Sequence, residues 1–196
     1  MIQTIILQSN IRNHFITMAI AHHGKKILFI HIPKNAGASI SKWLVDYGSV
    51  LVDEIRHSSL QVSDFKNSYY SFCVVRNPWD RMISLYHYGM KVSDETTNFN
   101  EWLKKNYQFN RHWYSVSTCQ VEWIQHEPNL IIRYENLGDE FEIIRSKFNS
   151  TMPLPTINKT LHQHYSTYYD DWSRNFVGEL YSKDIERFNY QFAANK

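Results

Sequence analysis

Three short apolar runs, each closed by a loop and followed by a helical pattern, constrain this chain more than any other feature. The runs occupy residues 27–32, 71–75 and Leu130–Arg133. Continuous apolar runs of this length, bounded by polar residues, read as strands buried on both faces, which is the signature of a parallel sheet. After the first run, Ile40, Trp43, Leu44 and Tyr47 recur at helical spacing. After the second, Asn77-Pro78 supplies an N-cap followed by proline at the first helical position, and Trp79, Met82, Ile83, Tyr86 and Met90 share one face. Repeated strand, loop and helix units predict an α/β fold with a central parallel sheet flanked by helices. Ligands of such sheets bind beyond the carboxyl ends of the strands, where both loops fall.

A chain of 196 residues, 43% hydrophobic and 20% charged, suffices for one domain with a real core, and no repeat, low-complexity tract or linker divides residues 1–196. The least structured stretch is 151–164, with Pro153 and Pro155. A late helix is expected over 173–188, where Phe176, Val177, Leu180, Tyr181, Ile185 and Phe188 form an amphipathic stripe. Residues 99–125 are rich in aromatics, including Trp102, Tyr107, Phe109, Trp113, Tyr114 and Trp123, and hold two weak helical patterns. These rings read as packing, although flat rings also suit stacking on sugar faces.

Other features mostly exclude. A formal net charge of +2 is too mild for a nucleic-acid groove, so any anion must be held by a local site. Cys73 and Cys119 lie far apart, and Cys73 sits in an apolar run, which argues against a disulfide framework and for a reducing, cytoplasmic setting. The first twenty residues are broken by Gln3, Gln8, Asn10, Arg12, Asn13 and His14, which fits neither a signal peptide nor a membrane span. Among ten histidines, the local clusters His22-His23 and His162-Gln163-His164 lack zinc-site spacing, so no metal is expected, and His162 and His164 are assigned to covering a ligand cleft. Asp170-Asp171 reads as a helix cap and Glu135 as a turn tie that orients Arg133.

The loop after the first strand, Lys34, Asn35, Ala36, Gly37, Ala38, Ser39 and Ile40, opens a helix with small residues. Unpaired N–H groups at such a helix start point at an incoming anion, and Ala36, Gly37 and Ala38 leave room for close approach. Lys34 adds a charge and Ser39 a hydroxyl donor. The lysine precedes the glycine by three positions, so this is not a Walker A loop. An ordinary βα turn with a solvated lysine remains the alternative. On the second unit Arg76 closes the strand, and Ser84 lies seven residues past Asn77, about two turns at 3.6 residues per turn, so the two can converge on one phosphate.

Together HIPKNAGASI and FCVVRNPWDRMISLY resemble the 5′-phosphosulfate loop and the 3′-phosphate motif of sulfotransferases that use 3′-phosphoadenosine 5′-phosphosulfate (PAPS), nearest to carbohydrate sulfotransferases and their small bacterial relatives. IIRYENL, HYSTYY and KDIERFNYQF are also similar, and the resemblance spans about residues 27–192. It implies a P-loop-like three-layer α/β fold. It also implies that Lys34 contacts the phosphosulfate, that Asn35, Ala36, Gly37, Ala38, Ser39 and Ile40 bind it, and that Arg76 and Ser84 hold the 3′-phosphate, with no metal required. Asn35 and Ala38 depart from the pattern, since such loops more often carry threonine there.

For the general base, His57 stands between the first helix and the second strand, followed by Ser58 and Ser59, and resembles a histidine that small relatives carry ahead of their second motif. His31, inside the first strand, is a weaker competitor. The implied acceptor is a hydroxyl, on a carbohydrate by this resemblance, while lipid-linked sugar, small metabolite and peptide tyrosine stay open, as does oligomeric state. A nucleotide-dependent kinase and a non-catalytic nucleotide-binding protein are the rival readings; magnesium dependence would mark the kinase.

Overall fold

A computed structural model describes residues 19–46, 68–93, 97–109, 118–124, 126–158 and 162–193. Its centre is a four-stranded sheet in the order β1 (Ala19–His22), β2 (Ile27–Ile30), β3 (Tyr70–Val75), β4 (Leu130–Arg133). The three apolar runs pair in parallel, with Ile30 opposite Cys73 and Val75 opposite Arg133. β1 departs from the all-parallel expectation. It pairs antiparallel with β2, Ala19 opposite Ile30 and His22 opposite Ile27, so the sheet is mixed. The cause is the link: four residues, closed by the Lys26 N–H donating to the His23 carbonyl at 3.2 Å, can make a hairpin but not a crossover.

Alternation along the strands builds a layer on each side of the sheet. Ile27, Phe29, Phe72, Val74 and Ile132 face α1 (Gly37–Asp46) and join Ile40, Trp43 and Leu44 in one core. Phe141, Ile144 and Phe148, from the segment running through α4 (Leu137–Glu140) and α5 (Glu142–Phe148), complete it. The opposite side chains, Ile30, Ile32, Cys73 and Val75, pack against Trp123, Phe188 and Tyr190. A further helical core joins α2 (Pro78–Ser93), α3 (Phe99–Phe109) and α6 (Asp171–Leu180) through Trp79, Met82, Phe99, Trp102 and Val177. Asn77 caps α2, its side-chain oxygen accepting from the Trp79 N–H at 3.1 Å, and Asp170 caps α6 in a reciprocal pair with Ser173. The aromatic stretch resolves into α3 and a 3-10 turn, Gln120–Trp123; Trp102 and Trp123 are both buried, whereas Trp113 and Tyr114 lie outside the described residues.

The continuous helix expected over 173–188 is two: α6 ends at Leu180 and α7 (Ser182–Phe188) begins after Tyr181, whose φ of −110° and ψ of 26° leave the helical region. The stripe of apolar residues hides this break because both helices bury them. What the stripe omits is Asp184. Its buried carboxylate accepts from the N–H groups of Gln120 at 2.8 Å and Val121 at 2.9 Å, a docking that belongs to α7 and its own axis.

Gly37 is required by a contact from below. A Cβ there would lie 1.7 Å from Nε2 of His31, whose ring stacks on Phe29 at 5.7 Å beneath the start of α1. The missing side chain at this position thus makes room for the His31 ring on the core side. Gly37→Ala should lower stability in urea unfolding by ~1–3 kcal/mol, the usual scale of overpacking. Adding His31→Ala should recover part of that loss; strictly additive losses in the double variant would contradict the contact.

Candidate functional site

The carboxyl ends of the parallel strands deliver Lys34 after β2, Arg76 after β3, and Tyr134 with Glu135 after β4. The first loop is bent hard. Lys34 (φ 71°) and Ala36 (φ 61°) are left-handed, a conformation that costs a residue with a side chain ~1–2 kcal/mol. Three side chains hold it there. Asn35, 1% exposed, donates from Nδ2 to the Val74 carbonyl and to Gln120 Oε1, both at 2.7 Å. Arg81 donates from Nε to the Pro33 carbonyl at 3.1 Å, and Arg76 from Nη1 to the Lys34 carbonyl at 3.2 Å. The first helical bond of α1 runs from the Ile40 N–H to the Ala36 carbonyl at 3.1 Å, so the N–H groups of Gly37, Ala38 and Ser39 precede the ladder.

All the residues named from sequence except His57 have a definite place. Lys34 rests its ammonium 4.1 Å from the centroid of the Tyr88 ring. Burial first, then the charges of Arg76 and Arg81, lower its pKa to about 8. Arg76 is buried, with Nε on Asp80 at 2.8 Å and its plane 4.0 Å from the Tyr134 ring centroid, which fixes the guanidinium from three directions. Ser84 is half-buried on α2. Ser39 is buried and accepts from the Ile157 N–H at 3.1 Å, which leaves its proton for donation. Ile40 points into the core and can offer only backbone, Ala36 is half-buried, and Ala38 is exposed. His57 lies outside the described residues.

Several further residues shape the site. His31, under the loop, has its pKa lowered to about 4 by burial and is neutral at pH 7. Glu135 ties its turn, accepting from the Asn77 N–H at 2.6 Å and from the Tyr190 hydroxyl at 3.2 Å, while Arg133 donates to the Phe188 carbonyl and lies over the Tyr190 ring. His162 stacks on His87 of α2 at 5.1 Å, and His87 shares a 3.2 Å hydrogen bond with the Tyr168 hydroxyl; burial and then His162 lower the His87 pKa. His164 caps the 3-10 turn Tyr165–Tyr168. Arg81, Gln120, Asp184, Tyr88 and Tyr134 were not singled out from sequence, although Arg81, Tyr134 and Asp184 lie inside segments that carry the resemblance. Among the described residues no group of three or more His, Cys, Asp or Glu is arranged to hold a metal ion, and no helix is long and apolar enough to cross a membrane.

A family model described as "Sulfotransferase family" matches residues 17–191. The chain belongs to the sulfotransferase family. The layered α/β architecture above accords with that membership. A solved sulfotransferase from Alicyclobacillus acidocaldarius is similar at 16% identity and a TM-score of 0.38, over 64% of this chain and 57% of that one, so the match spans less than two thirds of that protein. Comparison with curated proteins found no significant match.

In this sulfotransferase-family site Lys34 holds its proton below about pH 8 and loses it above. Because its pKa is lowered, the loss of charge begins well short of the ordinary lysine range. Binding of inorganic pyrophosphate, followed by calorimetry, should therefore weaken as pH rises through about 8. Lys34→Met should flatten that step; an unchanged step in the variant would assign the titration elsewhere.

Proposed function

We propose that this protein is a sulfotransferase that moves the sulfuryl group of PAPS to an acceptor hydroxyl, on a carbohydrate, by in-line transfer. The observation that carries this reading is the join between the two loops: Arg76 at the end of β3 donates to the carbonyl of Lys34 at the end of β2. Two cationic groups on separate strand ends are thereby held side by side, which suits a nucleotide with anionic groups at both its 5′ and 3′ positions. In this reading the N–H groups of Gly37, Ala38 and Ser39 hold the 5′-phosphosulfate along the 35–40 loop, and Arg76 Nη2 with the Ser84 hydroxyl takes the 3′-phosphate.

The acceptor oxygen attacks sulfur as the bond from sulfur to the 5′-phosphate oxygen breaks, and 3′,5′-adenosine diphosphate leaves. Lys34 stabilises the charge that grows on the departing oxygen, moving off Tyr88 to do so. His57 takes the acceptor proton. No metal enters the transfer, so a chelator should leave it intact, unlike a kinase. The exposed Tyr88 ring, 47% accessible beside Lys34, supports a sugar acceptor by offering it a flat face. Free Cys73 and Cys119 suit a cytoplasmic setting, and a single domain carries the whole site.

Calorimetry should find 3′,5′-adenosine diphosphate bound tenfold or more tighter than 5′-AMP, each charge-assisted bond contributing roughly 1.5–3 kcal/mol. Arg76→Ala should erase the preference; equal affinities in the wild type would remove the 3′-phosphate assignment. With radiolabelled PAPS and a panel of glycans and small alcohols, His57→Ala should lose 10²-fold or more of turnover, roughly the scale of a missing general base, while binding the nucleotide normally. Turnover within about threefold of wild type would dismiss His57 from that role.

A further inference from the structure

Gln120 makes no approach to solvent and yet spends every hydrogen-bonding group of its side chain on the two anion-binding loops and on Asp184. Its Oε1 accepts from Asn35 Nδ2 at 2.7 Å and from the Arg76 N–H at 2.9 Å. Its Nε2 donates to the Arg76 carbonyl at 2.9 Å and to Asp184 Oδ2 at 3.2 Å. A primary amide has two donors and two acceptor lone pairs, so the group is fully used. Towards Arg76 it behaves as the peptide of another strand would, accepting from the N–H and donating to the carbonyl of one residue. It does so where the β2–β3 pairing has ended, at Ile30 and Cys73.

The same amide reaches the first loop through Asn35, the residue after Lys34. Asn35 is committed to this joint: both of its donors are used, on Gln120 and Val74, while its Oδ1 has no partner among the described residues. Gln120 itself is fixed by Asp184, a fully buried carboxylate that accepts from the N–H groups of Gln120 and Val121. Buried polar groups that each need the others make such a network stiff, since losing one member strands the rest.

We infer that Gln120 is a positioning residue that sets the distance between the two anion-binding loops, so that a ligand with two anionic groups engages both at once. The inference rests on the two-phosphate reading of the donor site. Its consequence is a chelate effect: two sites held at the right spacing bind a doubly charged ligand far better than either binds a single phosphate, and misplacing one removes the advantage without damaging either site alone.

Gln120→Met keeps the side-chain length and removes the amide. Calorimetry with 5′-AMP, 3′-AMP and 3′,5′-adenosine diphosphate should show the two monophosphates bound within about twofold of wild type, while the diphosphate loses about tenfold or more, the worth of one charge-assisted contact. General loosening of the fold would instead lower all three affinities together, and that result overturns the inference. Gln120→Leu removes the same amide and should show the same selective loss, which keeps the test available if Gln120→Met does not fold. A wild type with no preference for the diphosphate overturns the donor reading and this inference with it. A wild-type preference that both variants retain overturns this inference alone.

Discussion

A loop that places two residues with side chains in the left-handed region stays there only while something holds its carbonyls. Here that restraint comes from the neighbouring unit. Arg81 takes the carbonyl of Pro33, Arg76 that of Lys34, and Asn35 reaches back to Val74. The strain at Lys34 and Ala36 is met by charge-assisted bonds from buried guanidinium groups, individually as large as the strain itself. With the carbonyls turned to these donors, the free N–H groups at the start of α1 are the polar face that remains. The shape of the loop proposed to bind an anion therefore depends on the second strand and helix as much as on its own residues.

That arrangement gathers three cations, Lys34, Arg76 and Arg81, in a chain whose net charge is only +2. Each arginine is compensated: Arg76 by Asp80 and the Tyr134 ring, Arg81 by two carbonyls and the Tyr181 ring. Lysine is the member whose proton can respond. Burial and its two neighbours weaken its hold on that proton, and an incoming anion reverses the balance. In the proposed reading, an arriving anion is what would satisfy this lysine.

The parallel strands, the helices that follow the first two, the caps at Asn77 and Asp170 and the positions of Lys34 and Arg76 were legible because each rests on near-neighbour signals: an apolar run, a helical period, an Asn-Pro pair. What escaped depends on contacts between distant residues. Gln120 meets Asn35 across 85 positions and Asp184 across 64, and nothing near Gln120 in sequence marks it. The break at Tyr181 was hidden because the apolar stripe continues across it. β1 is four residues long and carries too little pattern to separate from the polar-broken segment before it. Asp184 sat within a stretch recognised by resemblance, but a carboxylate between Lys183 and Ile185 reads as surface until its partners are seen.

Asn35 illustrates how a departure from a motif can change the division of labour rather than subtract from it. Read along the chain, asparagine and alanine in place of threonine at 35 and 38 remove two hydroxyl donors from the loop. In the folded protein the side chain at 35 faces inward, with both its donors given to Val74 and Gln120, and Ala38 is exposed. The proposed 5′ subsite is thus left with main-chain N–H groups, Lys34 resting on Tyr88, and one hydroxyl, Ser39, which the Ile157 N–H already engages. Asparagine has two donors and threonine one, so Asn35 can serve the end of β3 and Gln120 at the same time. The exchange trades a flexible contact to the ligand for a rigid contact between loops, and a subsite built from main-chain donors gains most from such rigidity because its geometry has no side-chain freedom with which to adjust.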